Sequence, residues 1–367
     1  MDKEPHEESD KQSSGAALAE ELLAMKDKAN TADTDASQVE TESPESPREE
    51  TAWREYKGYD EAYEKANAER GATGKIAVER YPQATLIAQV RLDEATGEVI
   101  SGHDYNPEAQ SHTDTEAEFS SYIDSTPPEE RFVVYEGGDG SFTDRDRAIR
   151  DRADGGLTMF LSDKAGVERT SGDPTSQEEL EDLIRRGVST EEAALFTTLR
   201  GIGSSLVKEP GRAIDPGGDI YSQLARCGLP GFREYSEEEK IKISQQPEVR
   251  DALLAQMAAD GTQFAMEKFN PVLRELGLPQ FEVGADGALT LPGASGTQLV
   301  EATGPSGDSR LNEVAKMNIE FRDRHLFDTI ADATKQGKKP FVVYGGSHVV
   351  ALKPALDSYF GQVIQVN

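Results

Sequence analysis

The chain has 367 residues, 36% of them hydrophobic, and its 39 Lys and Arg against 69 Asp and Glu give a formal net charge of −30. This length suits one large or two ordinary globular domains. The acidic charge excludes a nucleic-acid-binding protein that acts by broad phosphate neutralisation, and it disfavours an anionic membrane surface as a partner.

The first 50 residues differ in composition from the rest. They contain 15 acidic and 5 basic residues and little branched apolar or aromatic material, so they bury too little surface to offset their chain entropy. We expect residues 1–50 to be a disordered acidic tail, either a solubilising segment or a docking segment for a protein partner. The start of the chain lacks the apolar core of a signal peptide, and a cytoplasmic location is expected.

Residues 51–72 are predicted to form an amphipathic helix that packs on the main body. Trp53, Tyr56, Tyr59 and Tyr63 recur at spacings of three and four, which places these rings on one helical face. The body then runs from residue 73 to residue 367 and is expected to be a single domain.

The body alternates apolar strand-like runs with helical patterns, which is typical of an α/β protein. Capping boxes predict two helices, one at Ser176 and Glu179 that stops at Gly187, and one at Ser189 and Glu192. Further helices are expected within 236–277, with interruptions at Pro247 and near Gly261, and over 310–336, whereas 283–309 is predicted to be a long loop or an irregular hairpin. The predicted strands are 84–92, 99–101, 132–135, 157–161, 341–344 and 362–366.

The strongest candidate for a functional motif lies near the C-terminus. The predicted strand 341–344 runs into Gly345, Gly346, Ser347 and His348 and then into a helix. Ligands of open α/β sheets bind at the carboxyl ends of the strands, and paired glycines let the backbone approach a ligand closely. We therefore predict that Gly345 and Gly346 contact a cofactor or ligand and that His348 lies at the rim of the site.

Two further candidates follow predicted strands. Glu136 comes directly after the run 132–135 and before a glycine-rich stretch, where a carboxylate serves as a metal ligand or a general base. His103 follows the short run 99–101, and His112 lies nine residues further on as an alternative ligand; His103 is preferred.

Arg322 is the candidate in the helix 310–336. Its guanidinium offers paired donors for an anion or a carboxylate. Helical spacing places Val314, Met317 and Phe321 on one apolar face that His325 continues, a position typical of a core histidine.

The order of these motifs resembles the superfamily of TraB/Tiki proteases, erythromycin-esterase-like proteins and ChaN-like haem-binding proteins, over about residues 97–361. Residues 345–348 match its Gly-x-x-His motif, Glu136 its strand-end glutamate, and Arg322 its arginine ahead of the last motif. The first motif departs from the family pattern, because Gly102 directly precedes His103. The resemblance implies a divergent member with a central, mostly parallel sheet flanked by helices and a pocket at the strand ends.

We therefore expect a hydrolase that acts on a peptide or ester bond of a peptide or small-molecule substrate. In this hypothesis Glu136, His348 and Arg322 are the catalytic residues. His103, Glu136 and His348 hold a divalent metal that activates water, and Arg322 holds an anionic part of the substrate. The alternatives are a non-enzymatic protein of the ChaN kind, which binds haem or a small ligand, and a family member that has lost catalysis.

Overall fold

A computed structural model describes residues 47–59, 76–89, 91–92, 99–100, 103–284, 288–293 and 296–361. The chain falls into two compact units. The sheet unit comprises Glu42–Asp182 and Ala315–Asn367, and the helical unit contains Leu183–Val314. The body, predicted as a single domain over residues 73–367, has residues in both units. Residues 1–46 of the predicted disordered tail lie outside the described residues. Residues 47–50, also predicted to be disordered, instead form the start of a helix, Pro47–Trp53.

A five-stranded sheet forms the centre of the sheet unit. Its strand order is β1 (Ala77–Arg80), β2 (Thr85–Gln89), β9 (Lys339–Gly345), β5 (Arg131–Tyr135) and β6 (Arg169–Ser171). Strand β1 pairs antiparallel with β2, and the other three pairings are parallel. A separate antiparallel pair joins β3 (Arg91–Leu92) to β4 (Val99–Ile100). The prediction of an α/β fold with a mostly parallel sheet is confirmed.

Helices accompany both faces of this sheet. They are α1 (Pro47–Trp53), α2 (Gln110–Ser125), α3 (Arg145–Ala165), α4 (Ser176–Arg185), α11 (Arg310–Lys335) and α12 (Gly346–Phe360). Alternate residues of each strand point to opposite faces, so two apolar clusters form. One contains Val342 with Phe327 of α11 and Leu352 of α12. The other contains Phe341 with Phe119 and Tyr122 of α2.

In its described residues, the helical unit contains α-helices of 5 to 19 residues and a hairpin. The helices are α5 (Thr190–Lys208), α6 (Ser222–Arg226), α7 (Glu237–Ser244), α8 (Pro247–Phe264), α9 (Asn270–Glu275) and α10 (Gly296–Ala302), and the hairpin joins β7 (Glu282–Val283) to β8 (Leu289–Thr290). Helix α10 packs closely on α5, because a Cβ atom on Gly296 would lie 2.3 Å from the backbone nitrogen of Val207.

The helix predictions are largely confirmed. The capping box of Ser189 and Glu192 begins α5, Pro247 is the first residue of α8, and a π-helical turn follows α8 at Ala265–Phe269. The cap of α4 lies one residue earlier than predicted, because Thr175 pairs with Glu178. In residues 283–309 the hairpin alternative agrees with the pairing of β7 and β8, but helix α10 was not predicted there.

The strand predictions at 132–135 and 341–344 are confirmed as β5 and β9. The strand at 157–161 is wrong, since these residues lie in α3. A short apolar run fits a buried helix as well as a strand, and Leu157 and Met159 are fully buried within that helix. The predicted strand 84–92 corresponds to two strands: β2 covers Thr85–Gln89, and Arg91–Leu92 form β3 in the separate antiparallel pair. The predicted strand 362–366 lies outside the described residues.

The predicted helix at 51–72 is also wrong at its start, since Trp53 ends helix α1 and residues 56–59 are not helical. Trp53 and Tyr56 nevertheless pack against the core cluster of α11 and α12, as predicted for these rings. Residues 60–72, including Tyr63, lie outside the described part. No helix in the described ranges combines the length and the apolar character needed to cross a membrane.

Phe341 allows a test of this architecture. It is fully buried in the central strand, with its ring 5.4 Å from Phe119 and 5.2 Å from Tyr122 between centroids. We expect Phe341→Ala to lower the free energy of unfolding by about 3–5 kcal/mol, through lost burial and the cavity that remains. The measurement is chemical denaturation followed by the fluorescence of Trp53, the single tryptophan. Phe160→Ala, at a partly exposed position, is the control; an equal loss in both variants would contradict this account of the core.

Candidate functional site

The site lies at the carboxyl edge of the parallel strands. In register, Gln89 of β2 lies beside Gly345 of β9, and Tyr135 of β5 lies beside Ser171 of β6. Because parallel strands end at the same edge, the residues that follow them converge there. Glu136 and Asp173 are two such residues.

Glu136 is the centre of this arrangement. Its Oε2 accepts a hydrogen bond of 2.7 Å from the backbone N–H of Gly345, and its Oε1 accepts one of 3.1 Å from Arg322. A Cβ atom on Gly345 would lie 3.0 Å from Oε2, so the glycine makes room for the carboxylate. Burial alone would raise the pKa of Glu136, but His103, His348 and Arg322 outweigh burial and hold the pKa well below its usual range.

His103 and His112 both belong to the site, although the sequence presented them as alternatives. His103 Nε2 lies 3.5 Å from Glu136 Oε1, and His103 Nδ1 lies 3.6 Å from Asp154 Oδ2. His112 is fully buried, with Nδ1 3.2 Å from Asp154 Oδ1 and Nε2 3.1 Å from the carbonyl oxygen of Asp104. The two imidazoles therefore flank one carboxylate, Asp154, which the sequence analysis did not identify.

The charges of this group are mutually dependent. The carboxylate of Glu136 raises the pKa of His103 to about 10, with a further contribution from Asp154 against the opposing effect of burial. Burial lowers the pKa of His112, but hydrogen bonding to Asp154 outweighs it, and the net shift is upward. Burial would raise the pKa of Asp154, whereas the two histidines bring it below its ordinary value. His103 is thus a cation at neutral pH, held between two anions.

A break in α3 positions Asp154. Arg152 and Ala153 depart from helical dihedral angles, and Ala153 has φ 47° and ψ −129°. The helix resumes at Asp154, and Gly155 follows with its Cα close to β5, since a Cβ atom there would lie 2.2 Å from the carbonyl oxygen of Glu136. The Gln89 amide also bridges Asp154 and Thr115, with its nitrogen toward the carboxylate. Asp154 is therefore fixed from the backbone as well as through its side chain.

Arg322 donates to carboxylates of the protein itself. Its Nη2 and Nε lie 2.6 Å and 3.0 Å from Asp173 Oδ1, in addition to the bond to Glu136, and Glu179 lies 3.6 Å from Nε. Burial opposes the charge of Arg322, but the carboxylates outweigh it and raise the pKa further above its ordinary value. The arginine predicted to hold a substrate anion holds Glu136 and Asp173 in this structure.

The buried face of α11 differs from the predicted one. The sequence placed Val314, Met317, Phe321 and His325 on a single apolar face, but Phe321 and His325 are only partly buried. Arg322 and Asp323 are buried instead, with Asp323 fully inaccessible. These charged residues can lie on the inner face because Arg322 pairs with Glu136 and Asp173, and Asp323 pairs with His348. The spacing of apolar residues along the helix does not show such pairings.

His348 lies in the first turn of α12 and forms a pair with Asp323. The distance from His348 Nδ1 to Asp323 Oδ1 is 2.5 Å, and the His348 side chain is 7% exposed. Because an ionised carboxylate only accepts hydrogen bonds, Nδ1 is the donor. In the neutral imidazole Nε2 carries the lone pair, and within the described ranges no side chain or backbone group hydrogen-bonds to Nε2. His348 lies beside Gly345 at the strand end, as predicted, but it is buried and not at the rim.

Gly345 and Gly346 were predicted to contact a cofactor or ligand. The backbone N–H of Gly345 instead donates to Glu136, and Gly346 begins α12 in a buried position. Of the groups that the sequence analysis missed, Asp323 directly follows Arg322 and Asp173 follows β6, a strand that was not predicted. A strand prediction at 169–171 would have identified Asp173 by the same reasoning that identified Glu136.

The predicted metal ligands share this edge of the sheet. Among the described residues, however, no group of three or more His, Cys, Asp and Glu side chains is arranged to hold a metal ion. Both oxygens of Glu136 already accept hydrogen bonds, so a metal would compete with Arg322 and with the Gly345 N–H. The divalent metal and the haem both stay predictions.

No protein-family model matches the chain, and neither curated proteins nor solved structures show a significant similarity to it. The resemblance to the TraB/Tiki and ChaN-like superfamily stays a prediction. Function therefore has to be inferred from the chemistry of the site.

Ala153 provides a test of the strained turn. A positive φ at a residue other than glycine costs about 1–3 kcal/mol, and Ala153→Gly removes that cost. We expect this variant to unfold at the same denaturant concentration as wild type or at a higher one. Ala148→Gly, in the regular part of the same helix and equally buried, should lose about 1 kcal/mol or more. Equal losses in the two variants would contradict the assignment of strain to Ala153.

His103 predicts a pH dependence of stability. Its pKa rises from 6.5 to about 10 on folding, so the folded chain binds the additional proton. This contribution is fully present below about pH 6.5 and is lost as the pH rises through about 10. We expect the free energy of unfolding to fall less steeply between these limits in His103→Gln than in wild type. His325→Gln is the matched control, and the same slope in His103→Gln as in wild type would disprove the ion pair.

Proposed function

We propose that this protein is a hydrolase that cleaves an ester or peptide bond of a small-molecule or peptide substrate. The observation that carries the proposal is the pair of His348 and Asp323, whose Nδ1 and Oδ1 atoms lie 2.5 Å apart. The bond from Nδ1 to the fully buried carboxylate fixes the ring and its tautomer. The lone pair on Nε2 is then available for proton transfer.

The reaction assigned to this pair is attack of water on a carbonyl carbon. His348 Nε2 takes a proton from the water as the new C–O bond forms, and Asp323 stabilises the resulting imidazolium. The bond to the leaving group then breaks, and Nε2 gives the same proton to the departing oxygen or nitrogen. Atoms and charge balance without an additional reactant.

The neighbouring charges suit the intermediate of this reaction. The carbonyl oxygen becomes an anion during attack, and preorganised positive charge lowers the energy of that state. His103 supplies such a charge, since its pKa is raised to about 10 and its side chain is 35% exposed. Glu136 holds the imidazolium of His103, and Arg322 holds Glu136. Arg322 is thus a positioning residue in this proposal.

His348→Asn is the decisive variant. An asparagine amide can replace the Nδ1 donor toward Asp323 but cannot act as the base, so folding is retained while proton transfer is lost. We expect kcat/KM to fall by roughly 10²–10⁴-fold on the ester or peptide substrate that the wild-type protein cleaves best in a panel of chromogenic esters and peptides. Thermal unfolding of the variant verifies that the fold is intact.

His325→Asn is the matched control, since His325 lies on α11 with its imidazole outside this network, and it should keep wild-type turnover. Wild-type turnover in His348→Asn would overturn the proposal. Elemental analysis of both proteins tests the metal-dependent form of the same reaction: a stoichiometric divalent metal in wild type, lost in His348→Asn, would assign metal binding to His348. A Soret band on addition of haemin to a protein without hydrolytic activity would favour the haem-binding alternative.

A further inference from the structure

The described N-terminal segment lies against the helices that carry the proposed base. We call residues 47–59 the strap. It includes α1 and the non-helical residues that follow. Ala52 is buried in the core cluster of α11 and α12. Arg48 donates to the carbonyl oxygen of Tyr359 in α12 and lies 4.8 Å from the centroid of its ring. Glu49 forms an ion pair with Lys335 of α11. The strap is thus attached to both helices.

Aromatic stacking fixes the end of the strap. The rings of Trp53 and Tyr56 are stacked, with centroids 4.3 Å apart and an interplanar angle of 10°. Trp53 also lies 5.7 Å from Phe327, and the guanidinium of Arg324 lies 4.9 Å from the Trp53 ring. These contacts hold the Tyr56 ring in one orientation relative to α11.

This orientation places the Tyr56 hydroxyl on the buried carboxylate of Asp323. The distance from Tyr56 Oη to Asp323 Oδ2 is 2.6 Å, whereas Oδ1 accepts from His348. Asp323 has no solvent contact, so protein donors must satisfy both of its oxygens. With one donor on each oxygen, the carboxylate plane is fixed and Oδ1 is aimed at the imidazole.

We propose that Tyr56 is a positioning residue for the reaction proposed above, on which this inference rests. The tyrosine orients Asp323, and Asp323 in turn orients His348. The N-terminal strap thereby positions the proposed general base through Asp323. Loss of the hydroxyl leaves Oδ2 of a buried carboxylate without this donor, and the carboxylate is then free to rotate away from the imidazole.

The test uses the full chain and Tyr56→Phe, which keeps the ring stacked on Trp53 and removes only the hydroxyl. Tyr235→Phe, at a partly buried tyrosine of the helical unit, is the matched control. The first measurement is the proton resonance of His348 Nδ1–H in protein labelled with ¹⁵N-histidine, assigned by its absence in His348→Asn. The second is the separate determination of kcat and KM on the best substrate.

We expect Tyr56→Phe to shift or broaden the His348 resonance and to lower kcat by roughly tenfold with KM unchanged. Tyr235→Phe should change neither. An unchanged His348 resonance in Tyr56→Phe would overturn the inference, and so would a shifted resonance with unchanged kcat in an active enzyme. If Tyr56→Phe shifts the resonance but neither the variant nor wild type hydrolyses any substrate, the proposed hydrolase is rejected. The contact between the strap and the pair of Asp323 and His348 is then still supported.

Discussion

The ionised carboxylate of Glu136, at the edge of the sheet, determines which groups must surround it. An ionised carboxylate is stable away from water only when cations and hydrogen-bond donors replace the lost hydration. Here the Gly345 N–H, the Arg322 guanidinium and the His103 imidazole do so. Each of these groups comes from a different element, so the carboxylate ties together the ends of β5 and β9, helix α11 and the segment before α2.

The groups that surround Glu136 are themselves paired with further charged or hydrogen-bonding side chains. Arg322 carries one charge and faces Asp173 as well, and Tyr344 donates to Asp173 in turn. His103 faces Asp154, which His112 supports from the buried side. Such a network is costly when one member is missing, because the partner that remains is a buried, unmatched charge. The site is therefore rigid by construction, and that rigidity suits proton transfer, which depends on fixed distances between donor and acceptor.

The sequence revealed those parts of the site that local rules govern. Glu136 and His348 were identifiable because each follows an apolar strand, with Gly137 directly after Glu136 and Gly346 two residues before His348. Asp154 and Asp323 were not, because what makes them functional is a partner far away along the chain. For Asp323 the partner is 25 positions distant. Asp154 was also obscured because the run 157–161 was assigned to a strand, so the helix Arg145–Ala165 that carries Asp154 was not predicted. The parallel sheet was predictable from continuous apolar runs, whereas the short edge strands β1 and β6 carry too few apolar residues to stand out.

The strand order has a further consequence for how the chain is made. Strand β9 lies between β2 and β5 in the sheet, yet it spans residues 339–345 of a chain of 367. A ribosome therefore synthesises β2, β5 and the whole stretch Leu183–Val314 of the helical unit before the middle of the sheet exists. Until then β2 and β5 have no common neighbour, and Glu136 lacks the Gly345 N–H, His348 and the rest of the arrangement that neutralises it. The nascent chain thus carries separated halves of the sheet unit, and one late insertion joins the halves and assembles the charged site in the same event.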